Sequence, residues 1–216
     1  MVVRENFQLE LEEIKERVLD IGQEVMKSFH TVISALDKRQ EAPLLAVIDH
    51  DASINRLEMD IHEQVTLVIA KQQPVATDLR KLLVALKMAT DLERVGDLSV
   101  DIAKAGRRIL NTEINGFEKL FKMAELTETM LEQAFVAYKE SDVLQAQKIA
   151  IADDDVDALL KEFFKEMFTL PPTAQNTEVT TQLALIGRCI ERIADYATNL
   201  AEQVVYEVNG YYVDLN

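Results

Sequence analysis

Three carboxylates, Glu93, Asp97 and Asp101, follow one another at i, i+4 and i+8, and Glu191, Asp195 and Asn199 repeat the spacing 98 residues further on. At about 100° per residue, this spacing lines the side chains along one face of a helix. Like charges at i, i+4 cost roughly 0.2 to 0.5 kcal/mol per pair in an isolated helix, so a helix shaped by stability alone would place Lys or Arg at one of these positions. The chemistry open to such a row is cation binding. Hard or borderline metal ions take oxygen ligands, and adjacent helical turns bring carboxylates close enough to share one ion or to bridge two. A single Glu-x-x-x-Asp is more often a solvated face, but its return at matched positions favours the metal reading. Glu93, Asp97, Asp101, Glu191, Asp195 and Asn199 are therefore the candidate ligands.

The two rows are not identical. Asn199 stands where the first row has the charge of Asp101, and Cys189 stands opposite Asp91, so the first half is expected to hold cations more tightly. Arg94 and Arg192 sit beside the rows. Their simplest role is to neutralise part of the carboxylate charge. Holding a phosphate is the sharper alternative, for which an acidic row is a poor place unless a metal neutralises it.

Other chemistry-bearing residues point less far. None of His30, His50 and His62 follows a Glu or Asp by three positions, so the Glu-x-x-His pairs of di-iron bundles are missing. Glu58 and His62 form an i, i+4 pair that reads as a surface hydrogen bond. The runs Asp49-His50-Asp51 and Asp153-Asp154-Asp155 with Asp157 lack the glycine and terminal glutamate of a calcium loop, and read as helix starts, turns or solvated clusters. No phosphate-binding glycine loop, nucleophile elbow, zinc-protease helix or dinucleotide fingerprint occurs, so the chain does not read as an enzyme. The methionines, with Phe163, Phe164 and Phe168, read as core or helix-contact residues.

The elements that must position the rows are helices. With six glycines and four prolines in 216 residues, breaks are few. They fall at 39–43, 72–78, 111–116, 140–142 and 170–177, marked by Pro43, Pro74, Asn115-Gly116, Ser141-Asp142 and Pro171-Pro172, which predicts six helices. Met88, Leu92, Val95, Ser99 and Ile102 form an apolar seam, with Ile186, Ile190, Ile193, Ala197 and Leu200 as its counterpart, and the acidic rows lie roughly 180° away. Residues 34–55 lie over 136–157 at an offset of 102, and 92–97 over 190–195 at an offset of 98. The predicted architecture is all-α: two tandem antiparallel three-helix bundles, 5–111 and 114–208, related by an internal pseudo-twofold repeat and joined by a short link at 112–116.

Composition narrows the partners. Against 23 basic residues stand 38 acidic ones, a net charge of −15 without a polybasic block, which disfavours direct binding to nucleic acid or to an anionic membrane surface. The lone Cys189 allows no internal disulfide, and neither a signal peptide nor a spanning run is recognisable. The expectation is a complete cytoplasmic chain with no membrane insertion.

The stretches Asp91-Leu92-Glu93-Arg94-Val95-Gly96-Asp97 and Glu191-Arg192-Ile193-Ala194-Asp195-Tyr196-Ala197-Thr198-Asn199, set in a six-helix repeat, resemble the paired E/D-x-x-x-D signatures of the PhoU family. The resemblance covers essentially the whole chain. It implies two three-helix bundles, iron or zinc at the paired motifs, a homodimer or higher oligomer, and negative regulation of phosphate uptake and the phosphate regulon. It also implies two partners, the ATPase of the phosphate ABC transporter and the membrane histidine kinase that senses phosphate. Two other readings of the carboxylates stand beside it: a metal-dependent helical hydrolase, and a metal-free structural adaptor whose acidic rows meet basic partner surfaces.

Overall fold

A computed structural model describes residues 2–112, 118–167, 169 and 173–215. Six helices form where the apolar periodicity places them: α1 (Val2–Asp37), α2 (Glu41–Gln72), α3 (Ala76–Ile109), α4 (Glu118–Glu140), α5 (Val143–Met167) and α6 (Ala174–Asn209). The described residues contain no strand. The expected turns at Asn115-Gly116 and Pro171-Pro172, and Phe168, lie outside the described residues.

The repeat is visible in how the helices stop. At the end of α1, Gln40 N–H donates to the Ala35 carbonyl at 2.8 Å and Arg39 N–H to that of Leu36 at 3.2 Å, with Arg39 in the left-handed region at φ 52°. This is the paired-bond arrangement that satisfies the orphan carbonyls of a helix end. At the end of α4 the same bonds recur 102 residues on. Asp142 N–H donates to Ala137 at 2.9 Å and Ser141 N–H to Tyr138 at 3.3 Å, with Ser141 at φ 56°. Asp142 then caps α5, its Oδ1 accepting from the backbone N–H of Leu144 and Gln145 at 2.9 and 3.1 Å.

The helices form two tandem three-helix bundles, α1–α3 and α4–α6, joined most extensively through α3 against α6 and more lightly through α1 against α4. Among the described residues α2 touches only α1 and α3, and α5 only α4 and α6, so these two helices are the outermost of their bundles. The predicted seams are the core. Met88, Leu92, Val95, Ser99 and Ile102 are fully buried, as are Ile190, Ile193, Ala197 and Leu200, with Ile186 nearly so. Phe163 is buried, and Met88, Met123, Met130 and Met167 lie in the core, whereas Met59 is exposed. Phe164 packs partly buried against the core.

The face opposite the seam is not free, because α3 is packed on α1, α2 and α6 together. Asp91, Gly96, Leu98, Val100 and Ala103 are buried as well. The acidic row of α3 therefore runs along the edge of the α2 contact instead of facing open solvent. No helix among the described residues is long and apolar enough to cross a membrane.

Candidate functional site

Gly96 lets α2 approach α3 beside the first row. A Cβ at this position would sit 3.2 and 3.3 Å from the Cγ2 and Cδ1 of Ile54, tighter than ordinary van der Waals contact. That approach brings α2 carboxylates to those of α3. Asp51 is pushed above the usual carboxylate range by burial and then by the charge of Asp97, against which Lys104 and a hydrogen bond from Asn55 act. Burial, then Asp97, raises Glu93 too, with Glu58 and Asp51 adding to it. Arg94 holds both members of the motif, at 3.4 Å from Glu93 and 2.9 Å from Asp97, the neutralising role expected of it.

The second half builds the matching cluster from Asp153 and Asp157 of α5 and Glu191 and Asp195 of α6. These four, with Asp154, Ile151 and Leu215, line a cleft of about 440 Å³. Asp153 is raised to about 6, first by burial and then by Asp195, Asp157, Asp154 and Glu191 in turn. Burial also raises Glu191, followed by the charge of Asp195, and raises Asp195, followed by that of Asp157. The motif arginine does not close on this cluster. Arg188, a turn earlier, pairs with Glu191 at 3.0 Å, while Arg192 acts on Glu191 and Asp195 only from a distance.

Of the six candidate ligands, Glu93 and Asp97 come together with Asp51, and Glu191 and Asp195 with Asp153 and Asp157. Asp101 stays at the edge, its side chain 54% exposed and 4.0 Å from Lys104, and it is the weakest of the charges acting on Asp51. Asn199 lies one turn beyond Asp195, half-buried and neutral.

Two expectations change here. Asp51 and Asp153 do not start helices or mark turns; they lie in the middle of α2 and α5, where the interhelical contact turns them toward the rows. Nor is the second half short of negative charge. Asn199 replaces Asp101, but Asp157 replaces Asn55, so Asp51, Glu93, Asp97 and Asp101 are matched by Asp153, Asp157, Glu191 and Asp195. A signal for these partners is present in the sequence: Asp51 with Asn55, and Asp153 with Asp157, share the i, i+4 spacing of the rows at the same offset of 102.

The clusters can be tested for a cation from their unsatisfied atoms. Asp51 Oδ1, Asn55 Oδ1 and Glu191 Oε2 are buried without a hydrogen-bond partner. A buried acceptor left unmade costs about 1 to 3 kcal/mol, so such atoms call for water or an ion. All three are oxygens beside repelling carboxylates, the donor chemistry of a hard cation. Among the described residues, however, no three His, Cys, Asp or Glu side chains already converge on one point. The carboxylates face one another from two helices, and their side chains would have to rotate toward one point before they could coordinate an ion.

This is a duplicated all-helical protein with one acidic cluster between the second and third helices of each repeat. The PhoU domain model matches residues 18–106 and 120–204, and the chain belongs to the PhoU family. It is 34% identical over 218 residues to a Clostridium acetobutylicum protein named as a phosphate-specific transport system accessory protein PhoU homolog, covering all of both chains. A Streptococcus pneumoniae protein of the same name is 32% identical, covering 99% of this chain and all of its own. Two solved structures share the fold. The crystal structure of PhoU from Pseudomonas aeruginosa has a TM-score of 0.90 at 28% identity, covering 95% of this chain and 100% of its own. That of the phosphate transport system regulatory protein PhoU from Streptococcus pneumoniae also scores 0.90, at 30% identity, covering 96% and 99%.

Proposed function

We propose that this chain is a cytoplasmic, non-catalytic accessory protein of phosphate-specific transport that restrains phosphate uptake and the phosphate regulon. In this reading it works as a homodimer through the ATPase of the phosphate ABC transporter and the phosphate-sensing membrane histidine kinase. The observation that carries it is similarity along the whole length to proteins bearing that accessory name, with 34% identity and full coverage on both sides.

The acidic clusters are the proposed cation sites. Asp51, Glu93 and Asp97 would hold an ion in the first half, and Asp153, Asp157, Glu191 and Asp195 in the second, with Asp101 and Asn199 at their edges. A bound ion would supply positive charge that cancels the mutual repulsion of these carboxylates. The protein's own part is to hold α2 against α3, and α5 against α6, at a separation the ion can bridge. An all-oxygen donor set suits ferric iron or manganese better than zinc, which favours His and Cys.

Elemental analysis of untagged protein purified without chelator, beside a Glu93→Gln/Asp97→Asn/Glu191→Gln/Asp195→Asn variant, tests the cation sites. Stoichiometric metal that disappears in the variant is the expected result, and equal, negligible metal in both would remove this part of the reading. The regulatory part predicts that a deletion strain expresses phosphate-starvation genes in plentiful phosphate. Normal repression in that strain would overturn it.

A further inference from the structure

Far from the acidic clusters, a cavity of about 200 Å³ opens where α1, α3, α4, the α4–α5 turn and the end of α6 meet. Lys15 of α1 and Lys81 of α3 line it, with Tyr138, Ser141 and Glu207, over an aliphatic floor. Glu12 also lines it, as an exposed side chain at the mouth.

Its polar groups make only weak contacts with the rest of the fold. Lys15 lies over the ring of Tyr138 at 5.0 Å and reaches Ser141 Oγ only at 3.5 Å. Among the described residues neither Lys15 nor Lys81 forms an ion pair, although the protein carries a net charge of −15. Tyr138 is 2% exposed and Glu207 7% exposed. Within the described residues the Tyr138 hydroxyl and the Glu207 carboxylate have no hydrogen-bond partner; the charges of Lys15, Lys81 and Arg80 act on Glu207 only through space. Both side chains are more than nine-tenths buried, yet their oxygens are not among the fully enclosed unpartnered atoms, so they open onto the cavity and are available to a ligand there.

The cavity also breaks the internal symmetry. The positions matching Lys81, Tyr138, Ser141 and Glu207 hold Val179, Leu36, Arg39 and Ile109, so the other end of the molecule carries no such constellation. A feature needed only to hold a bundle together would be expected at both ends.

We propose that this cavity binds a small, doubly charged oxyanion that carries its own proton, of which hydrogen phosphate is the common example at neutral pH. Lys15 and Lys81 supply the positive charge that faces the anion, set against the Glu207 carboxylate and the exposed Glu12, and the Tyr138 and Ser141 hydroxyls donate to further oxygens. The Glu207 carboxylate accepts the hydrogen bond from the protonated oxygen. Sulfate, fully deprotonated at neutral pH, would set a bare oxygen against that carboxylate and be rejected. The volume is below the ~300 to 1,000 Å³ of pockets for drug-sized ligands, which excludes a nucleotide and suits a single small ion. This site is independent of the cation reading and uses none of its residues.

The test is titration calorimetry of the full chain with inorganic phosphate and with sulfate, at equal ionic strength and with chelator present so that phosphate cannot bind through a metal. One phosphate site per chain and no sulfate binding are expected. Lys15→Met/Lys81→Met should weaken phosphate about tenfold or more, equivalent to about 1.4 kcal/mol or more. Glu207→Gln, which preserves shape and removes the charge, should remove the preference for phosphate over sulfate. Circular dichroism on each variant separates loss of binding from loss of fold. Absence of phosphate binding, equal binding of sulfate by the unaltered protein, or phosphate binding untouched by the double lysine substitution would each overturn the proposal.

Discussion

The two acidic clusters share a scaffold and differ in how their charge is compensated. The helix-end bonds at Gln40 and Asp142, and the left-handed residues Arg39 and Ser141, are near copies at an offset of 102. On that common frame, the first cluster has Arg94 on both Glu93 and Asp97, and Lys104 acting on Asp51. The second has Arg188 on Glu191 alone, and every cause acting on Asp153 raises it. Leu215, held by its N–H to Glu202 Oε1 at 2.9 Å, lines the second cleft and adds apolar surface to it. Duplication has kept the helix ends and the buried seams, which depend on backbone geometry and shape. It has let the electrostatic load diverge: Arg192 keeps the position of Arg94 but leaves Glu191 to Arg188, where the first half has Thr90, and exchanges among surface side chains cost the fold little.

The sharpest way to test this difference is to remove one charge from each half without metal. In chelator at pH 7, Asp153→Asn should stabilise the protein by about 1 to 2 kcal/mol. This follows from ~1.4 kcal/mol per pH unit of displacement, reduced for solvent screening at a half-buried site. The sign follows from linkage: a carboxyl raised in the folded state from 3.8 to about 6 leaves stability unaffected below both values and lowers it progressively as pH rises between them. The gain should therefore vanish at pH 3.5 and be complete above pH 6.5 in denaturant unfolding curves, with these two pH values being rough brackets of that window. Asp51→Asn should give a smaller gain, since Lys104 and Asn55 already favour its charged form. Equal gains in the two halves would erase the contrast.

The helices and their seams were legible because periodicity and helix-end residues are local signals. Met88 to Ile102 and Ile186 to Leu200 were placed in the core by spacing alone, and the core is where they lie. Glu93, Asp97, Glu191 and Asp195 were visible as oxygen-bearing rows for the same reason. Their partners were marked only by the repeated i, i+4 spacing of Asp51 with Asn55 and Asp153 with Asp157. Asp51 and Asp153 sit in short acidic runs that resemble helix starts, and only the packing of α2 on α3 and α5 on α6 turns them toward the rows. Likewise, periodicity placed the rows opposite the seam but could not show that α3 is covered on that side too, since this depends on which helices pack there. The cavity near Lys15 had no local signature at all, because its residues come from α1, α3, α4, α6 and the α4–α5 turn.

Matched packing gives a second, smaller contrast. Where the first half has Ile54 against Gly96, the second has Val156 and Ala194, both fully buried, so a methyl group has moved from one helix to the other. Gly96→Ala should cost about 1 kcal/mol in thermal or denaturant unfolding. Helix propensity favours Ala by up to ~1 kcal/mol, but the new methyl meets a β-branched side chain that cannot turn away within its helix. Ile54→Val in the same chain removes Cδ1 but keeps the γ-methyl, so it should recover part of the loss, giving a coupling of about 0.5 kcal/mol in a double-mutant cycle. Additive effects would mean that the two halves reached their packing independently at each position.

The smallest effects are expected at the ends of the rows, and they separate a row along one helix from a cluster between two. Asp101 is more than half exposed and already faces Lys104, so Asp101→Asn should change stability by less than about 0.5 kcal/mol and leave the metal content unchanged. Asn199→Asp adds a charge one turn from Asp195 and should cost only a few tenths of a kcal/mol in chelator. If Asp101→Asn instead emptied the first site of metal, the ligands would be those along α3 and not those shared with α2. Asn199 would then be a true deficit, and the first half, with its intact row of three carboxylates, would be the tighter of the two.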